Sequence, residues 1–535
     1  MKNFKKFTAA IAATLMAASL SIPMTASFTA SAATITMQDG TETNTTSTFK
    51  AYKILDASIS GDAYTYTVND TYRNILKTAL GLETNATDDA IISSMNDLTA
   101  ETLRPVADTI YKAILSGSIA ETATTTNGKF NDLAQGYYLI AETALGSNNT
   151  DGTMSLVMVD TMGEQNVEVK TKKEAPSFQK KVKDTNDSVA DSTTDWQDSA
   201  DYDIGDDVPF QLKATLPADY DKYSQYKLVF HDDLNKANAK DVFNKPTSVT
   251  VYVDKNQNGR FDEGESITTA VFSTTVSSDH ADDFDCDFEV TIPDLKVVNG
   301  VTADMPVYVE YTAKLNDNAV LGSAGNWNDA YLEYSNNPYH TGEGDTTSKT
   351  VKDTNVVFTY KTIIDKVKTG ETAGNYDALT GAKFKLEKKL ANGNTKTIKE
   401  FTTGTESTFE FTGLDDGDYI LTETEAPAGY KKIDEPIQFT ISAVHTNDPE
   451  TLELTSLTGN VTSGEINVIN LDSDKNMESN LAAGTLNGKI INTSGSELPS
   501  TGGIGTTLFY IGGGCMVAVA GIFLITKKRM SKSAE

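Results

Sequence analysis

The sequence predicts a mainly β protein: tandem antiparallel sandwiches, a helical insert in the first of them, and one transmembrane helix at the C-terminus. Three observations carry this. Thr, Val, Tyr and Phe recur in short alternating runs punctuated by Gly, Asn and Asp, the period-two pattern of half-buried strands and their turns. From Tyr72 to Leu115 the period changes: Ile75-Leu76, Ala79-Leu80 and then Val106, Ile110 and Ile114 fall at helical spacing, which predicts one or two helices. Ile504 to Thr526 is apolar and uncharged, about the twenty residues needed to cross a bilayer core at 1.5 Å each.

Both ends carry targeting chemistry. Lys2, Lys5 and Lys6 precede an apolar run from Phe7 to Ile22, and Ala30-Ser31-Ala32 supplies an A-x-A site. Together these predict a secretory signal peptide over 1–32. At the other end Lys527, Lys528, Arg529 and Lys532 follow the apolar span, a cationic flank of the kind retained on the cytoplasmic side. Just before the span stands Leu498-Pro499-Ser500-Thr501-Gly502. Motif, span and basic tail in this order resemble the LPxTG sorting signal of Gram-positive surface proteins. The resemblance implies that a sortase cysteine attacks the Thr501 carbonyl, that Gly502 leaves, and that an amine resolves the acyl-enzyme. It also implies a chain secreted and then attached covalently to the cell wall.

Residues 33–497 suffice for three domains of ordinary size. A Lys-rich stretch from Lys170 to Pro176 reads as a linker, and a second boundary falls within Thr346 to Asn355. The expected domains are therefore 33–173, 174–352 and 353–497, followed by the sorting region 498–535. The net charge is −30, from 45 basic and 75 acidic residues, which excludes a nucleic-acid partner because phosphate binding needs a basic face. The two cysteines are Cys286 and Cys515. Sorting would remove Cys515, so the mature chain would have no internal disulfide and would lack the usual staple of an extracellular β-domain.

The two later domains repeat one layout: a lysine near the start, an acid in the middle and an asparagine near the end. In Phe178-Gln179-Lys180-Lys181-Val182, alternation puts Lys180 on the apolar face between Phe178 and Val182, where a charged amine is costly. Leu228, Phe230 and Asp232 share a face, as do Asn328, Ala330, Leu332 and Tyr334. In the third domain the corresponding sets are Ile364 with Lys366, then Tyr419, Leu421 and Glu423, then Ile490 with Asn492.

The run Gly417-Asp418-Tyr419-Ile420-Leu421-Thr422-Glu423, continuing into Ala426-Pro427-Ala428-Gly429-Tyr430, resembles the E-box of pilin domains related to the B-type repeats of collagen adhesin. Leu379-Thr380-Gly381-Ala382-Lys383-Phe384 matches the same domain type. The resemblance is to sortase-assembled backbone pilins built from immunoglobulin-like sandwiches of the CnaA and CnaB types. It implies intramolecular Lys–Asn isopeptide bonds: Lys180–Asn328 with Asp232 as proton shuttle, and Lys366–Asn492 with Glu423. A buried lysine is a neutral nucleophile, and such a cross-link would restrict the unfolded chain as loop closure does. Lys181 and Asn326 compete for the second-domain roles. In the first domain Gly136-Tyr137-Tyr138-Leu139-Ile140-Ala141-Glu142 resembles the same run, but neither Lys50, Lys53 nor Asn166 is singled out as a partner, and no bond is predicted.

Backbone pilins also use a linker lysine to attack the sortase-held Thr of the next subunit. Val167-Glu168-Val169-Lys170-Thr171-Lys172 lacks the Tyr-Pro that the family motif carries before its lysine. Position selects Lys172, with Lys170 and Lys173 as rivals and a solvated cationic linker as the competing reading. Asp254, Asn256, Asn258, Arg260, Asp262 and Glu265 stand at EF-hand loop spacing with Gly259 at the sixth position. This predicts a structural Ca²⁺ loop on a hairpin, against a plain Asn/Gly turn. His231, His280, His340 and His445 show no metal spacing, and no nucleophile elbow, phosphate loop or CxxC pair occurs, so no substrate-turnover site and no cofactor beyond Ca²⁺ is expected.

The functional expectation is thus a pilus backbone subunit supporting surface adhesion. Its expected partners are pilus-specific and housekeeping sortases, identical subunits head to tail, ancillary pilins, peptidoglycan, and host or glycan ligands. The alternative is a monomeric wall-anchored adhesin or an ancillary pilin.

Overall fold

The computed structural model describes residues 32–39, 42–60, 63–146, 152–164, 166–171, 174–236, 241–276, 284–339, 346–372, 374–494 and 504–531. Residues 1–31 of the expected signal peptide, Leu498-Pro499-Ser500-Thr501-Gly502, Lys172, Lys173 and Lys532 lie outside the described residues.

The described chain is mainly β, arranged as successive sandwiches. In the first, one sheet contains Thr48–Ser60, Ala63–Val68, Gly136–Ala144 and Leu156–Asp160. The facing sheet contains Ala33–Asp39, Lys129–Leu133 and, parallel to the first strand, Asn166–Lys170. Ile35, Met37, Phe49, Phe130, Tyr138 and Ile140 fill the space between them. The outer face of the larger sheet is covered by the helical insert, where Leu76, Ile110 and Ile114 pack on Tyr52, Tyr137 and Leu139. Both faces of Gly136–Ala144 are therefore buried, and seven consecutive residues there are inaccessible.

The insert contains three helices, one more than the upper expectation: α1 (Arg73–Ala79), α2 (Asp88–Asn96) and α3 (Ala100–Ser116). The division is written in the caps. Thr87 Oγ1 accepts from Ala90 N, and Thr99 forms a reciprocal capping box with Thr102, so each starts a new helix.

The middle sandwich packs Ser177–Val182, Asp207–Thr215 and Pro306–Leu315 against Leu228–Lys236, Asn326–Ser335 and Phe288–Ile292. The third packs Tyr360–Thr369, with Thr485–Ile491 running parallel beside it, against Lys383–Lys389, Gly417–Glu425 and Ile437–His445. The strand Asp353–Phe358 begins at the boundary expected at 352/353 and is shared between the two sandwiches. It pairs with Asn326–Ser335 and Ser199–Asp201 of the middle sheet. Its alternating side chains serve both neighbours: Val357 enters the middle core, whereas Val356 and Phe358 enter the third.

The apolar C-terminal stretch is one helix, α4 (Ile504–Ser531), which exposes Met516, Val517, Phe523 and Leu524. Among the described residues no helix is long and apolar enough to cross a membrane, and the side chains at the start of α4 lie outside the description.

Candidate functional site

In the third sandwich, Lys366 lies on the first strand of the domain and Asn492 just beyond the last, Thr485–Ile491. The two strands are parallel neighbours, with Lys366 opposite Ile490. This register brings the lysine side chain to the asparagine. Lys366 Nζ donates to Asn492 Oδ1 at 2.6 Å and to the Ile490 carbonyl at 3.2 Å. Asn492 Nδ2 donates to Glu423 Oε1 and Oε2 at 2.9 and 3.0 Å. The Glu423 carboxylate is fixed by the Ile433 amide at 2.9 Å and stands 3.9 Å from Lys366 Nζ. All three side chains are buried. Burial lowers the Lys366 pKa from 10.5 to about 8, with Glu423 opposing the shift. A free-amine fraction near neutrality is thus placed on the carbonyl it would attack, with an acid on the nitrogen that would leave.

The middle sandwich solves the same problem across its two sheets. Lys180, on Ser177–Val182, projects through the core toward Asp232 and Asn328 on the opposite sheet. Lys180 Nζ lies 2.5 Å from Asp232 Oδ2 and donates to Tyr311 Oη at 3.0 Å. Tyr311 donates to Asp232 Oδ2 at 2.8 Å, and Asn328 Nδ2 donates to Tyr311 Oη at 3.1 Å. Every one of these side chains is buried. Burial lowers the Lys180 pKa and raises that of Asp232, favouring the neutral amine and the neutral acid. The walls are aromatic: Nζ sits 5.4 Å from the centre of the Phe210 ring, which stacks on Tyr311.

Tyr311 is the member that sequence reasoning missed. It sits on Pro306–Leu315, a strand whose alternation gave no reason to separate one core tyrosine from another. Of the competing residues, Lys181 faces away and pairs with Asp198 at 2.5 Å. Asn326 is committed to backbone groups of Val320 and Val357.

A third buried lysine, Lys388, provides a contrast. It is ion-paired to Asp415 and lies 3.4 Å from Asp203 and 3.7 Å from Asp187. Those carboxylates raise its pKa despite burial, so it is an ammonium ion and a poor nucleophile.

In the first sandwich Glu142 is buried and accepts from Ser155 N at 3.1 Å. Lys50 reaches Glu121 and Lys53 reaches Asp56, while Asn166 is exposed at a strand start. No lysine–acid–asparagine set is assembled there among the described residues. Lys170 ends the strand Asn166–Lys170, exposed.

The 254–265 loop hangs on Thr250–Val253, with Tyr252 bridged to Ser266 to close it. Its acidic ends hold backbone amides: Asp254 accepts from Asn258 N and Gly259 N, and Glu265 from Lys255 N and Asp262 N. Asn256 and Asn258 both donate to Asp262 Oδ2 at 2.7 Å, and Asn258 Oδ1 accepts from Arg260 N. Gln257 and Gly259 adopt φ of +57° and +74°, turning the loop tightly enough for these oxygens to converge.

The chain is similar to several known proteins. Residues 364–456 match the SpaA prealbumin-like fold domain, and residues 490–532 match the LPXTG cell wall anchor motif. The chain is 25% identical over 404 residues to the trypsin-resistant surface T6 protein of Streptococcus pyogenes serotype M6, covering 67% of this chain and 70% of that protein. Among solved structures it is similar to the T6 backbone pilin of the same species, with 19% identity, TM-score 0.48, and 87% and 98% of the two chains covered. It is also similar to the major pilin SpaD of Corynebacterium diphtheriae, with 18% identity, TM-score 0.43, and 87% and 98% covered.

Proposed function

We propose that this chain, a cell-wall-attached extracellular protein of the LPXTG-anchored pilin kind, is the backbone subunit of a sortase-polymerised pilus, cross-linked internally by Lys366–Asn492 and Lys180–Asn328 amides. The observation that carries the reading is the seating of the Lys366 amine on the Asn492 side-chain carbonyl, with Glu423 on the departing nitrogen. A subunit that bears load in a chain gains from covalent closure in a way that a free-standing wall protein does not.

The chemistry balances as a transamidation. The neutral lysine amine attacks Cγ of the asparagine, the C–Nδ2 bond breaks, and ammonia departs. Glu423 takes the proton released by the amine and returns it to the leaving nitrogen. In the middle domain the neutral Asp232 gives its proton to Asn328 Nδ2 through Tyr311 and is restored by the proton that the Lys180 amine releases. Burial contributes twice, holding the amine neutral and excluding water that would compete as a nucleophile.

Assembly then uses the other end of the chain. A pilus-specific sortase forms the acyl-enzyme at Thr501, Lys172 of the next identical subunit resolves it head to tail, and a housekeeping sortase transfers the finished polymer to peptidoglycan. Ancillary pilins, and host or glycan ligands, are the remaining partners of this reading. Wall extracts on denaturing gels should show a high-molecular-weight ladder that collapses to monomer in Lys172→Ala. A single band in the unsubstituted strain would instead identify a monomeric adhesin.

The 254–265 loop would hold a structural Ca²⁺ through Asp254, Asn256, Asn258, Asp262, Glu265 and the Arg260 carbonyl, the asparagine amides turning their oxygens inward. Calorimetric Ca²⁺ titration of the mature chain should show one saturable site that is lost in Asp254→Asn. An unchanged isotherm in that variant would remove the loop from consideration.

A further inference from the structure

The seam between the middle and third sandwiches holds a group of side chains that neither cross-link uses. Asp184 and Asp201 come from the middle domain and His445 from the end of Ile437–His445 in the third. Their ligand atoms lie within 4.8 Å of one another. His445 Nε2 is 3.3 Å from Asp184 Oδ2 and 4.0 Å from Asp201 Oδ1.

Each carboxylate spends its other oxygen on backbone amides. Asp184 Oδ1 accepts from Thr185 N and Asp201 N, and Asp201 Oδ2 accepts from Asp416 N. The oxygens left over are the two that face the imidazole.

The imidazole is oriented from behind. Its Nδ1 lies 2.6 Å from Ser199 Oγ, whose own proton has two acceptors, the Thr446 carbonyl at 2.7 Å and Asn447 Oδ1 at 2.9 Å. Ser199 can thus accept from Nδ1–H, the arrangement that orients a metal-ligating histidine by its other nitrogen. It leaves Nε2 as the ring atom turned toward the two carboxylates.

Among the described residues no lysine or arginine forms an ion pair with Asp184 or Asp201. Lys388 and Lys396 neutralise the adjoining Asp203, Asp206 and Asp415, but among the described residues neither Asp184, Asp201 nor Asp416 forms an ion pair with either. The buried Tyr360 hydroxyl stands beside Asp201, and burial with the field of Asp201, Asp184 and Asp416 pushes its pKa well up, so the seam is a buried, strongly anionic place.

We propose that Asp184, Asp201 and His445 bind a divalent first-row transition ion of the zinc or manganese class, which bolts the middle domain to the third. Imidazole nitrogen with two carboxylates suits such ions and disfavours Ca²⁺. The 3.3 Å spacing is that of two tetrahedral donors about 2 Å from a shared ion, and the 4.0 Å spacing would close by about 0.7 Å on binding. The site is distinct from the 254–265 loop in both donor chemistry and place.

The test uses the mature chain, saturated with Ca²⁺ to occupy that loop, and titrated with Zn²⁺ by calorimetry and with Co²⁺ by visible absorption. The expected result is one saturable Zn²⁺ site and Co²⁺ ligand-field bands. Both should be lost in His445→Gln, with affinity weakened more than about tenfold in Ser199→Ala, which leaves all ligands in place but frees the ring. Asp184→Asn, on a partly exposed residue, serves as a second ligand variant should His445→Gln fold poorly. Absence of saturable Zn²⁺ and Co²⁺ binding, or binding unchanged in both ligand variants, would overturn the proposal.

Discussion

Purified mature protein is expected to weigh two ammonia molecules less than its sequence requires, and Lys366→Ala and Lys180→Ala are each expected to restore one. The geometry makes the outcome specific to these lysines. Lys366 and Lys180 are held toward the neutral amine by burial, whereas Lys388, equally buried, is held as a cation by its carboxylates, so Lys388→Ala should leave the mass deficit intact.

The stability consequence follows from loop closure. Lys366 and Asn492 are 126 positions apart, and a cross-link over such a loop removes unfolded-state entropy worth on the order of 5 kcal/mol. For a domain of this size that corresponds to a fall in Tm of roughly 10–20 °C in Lys366→Ala. Intact-mass spectrometry and calorimetry read the two effects separately. A full-weight wild-type protein would sink the cross-linked reading while leaving wall attachment untouched.

Glu423→Ala and Asp232→Ala should each produce folded protein in which lysine and asparagine are both present and yet unjoined. Each variant should recover one ammonia of mass, because a positioned acid–base contributes roughly 10² to 10⁴ in rate. Tyr311→Phe should slow the middle-domain reaction without abolishing it, since Asp232 still touches the amine directly.

The unreacted Lys366 then gives a pH signature. Its folded pKa is lowered to about 8 from 10.5, chiefly by burial, so between those values the unfolded chain binds more protons than the folded one. Glu423→Ala removes the charge that opposes the shift, so its stability should rise with pH over at least this window, by at least about 3 kcal/mol in total, and be flat above 10.5. An amide does not titrate, so a cross-linked wild type should show no such rise. Urea midpoints measured from pH 7 to 11 decide the matter: a flat profile in the variant would mean that its lysine has escaped to solvent.

Much of this site was legible because strand alternation is a strict code. Lys180 between Phe178 and Val182, or Lys366 two residues after Ile364, can only face inward if their neighbours do, and a lysine facing inward demands a chemical reason. What alternation cannot convey is which strands face each other. Tyr311 reads as one more core aromatic until the sheets are stacked, and only then does its hydroxyl fall between Asp232 and Asn328. His445 shows the same limit more strongly. Its partners lie about 240 to 260 positions upstream across a domain seam, so no local spacing announces them. The helix count was missed for a nearer reason: Thr87 and Thr99 are N-caps inside a stretch whose apolar spacing continues through them.

The strand that belongs to two cores has a mechanical meaning. Under axial tension a chain cannot lengthen inside a segment whose ends are welded, which would make 180–328 and 366–492 inextensible. Extension would then have to begin between the welds, where Asp353–Phe358 lies, with Val357 gripping one body and Val356 and Phe358 the other. Peeling that strand would expose apolar surface on both sides at once, so the least reinforced stretch of the rod is also one whose rupture neither body can tolerate alone.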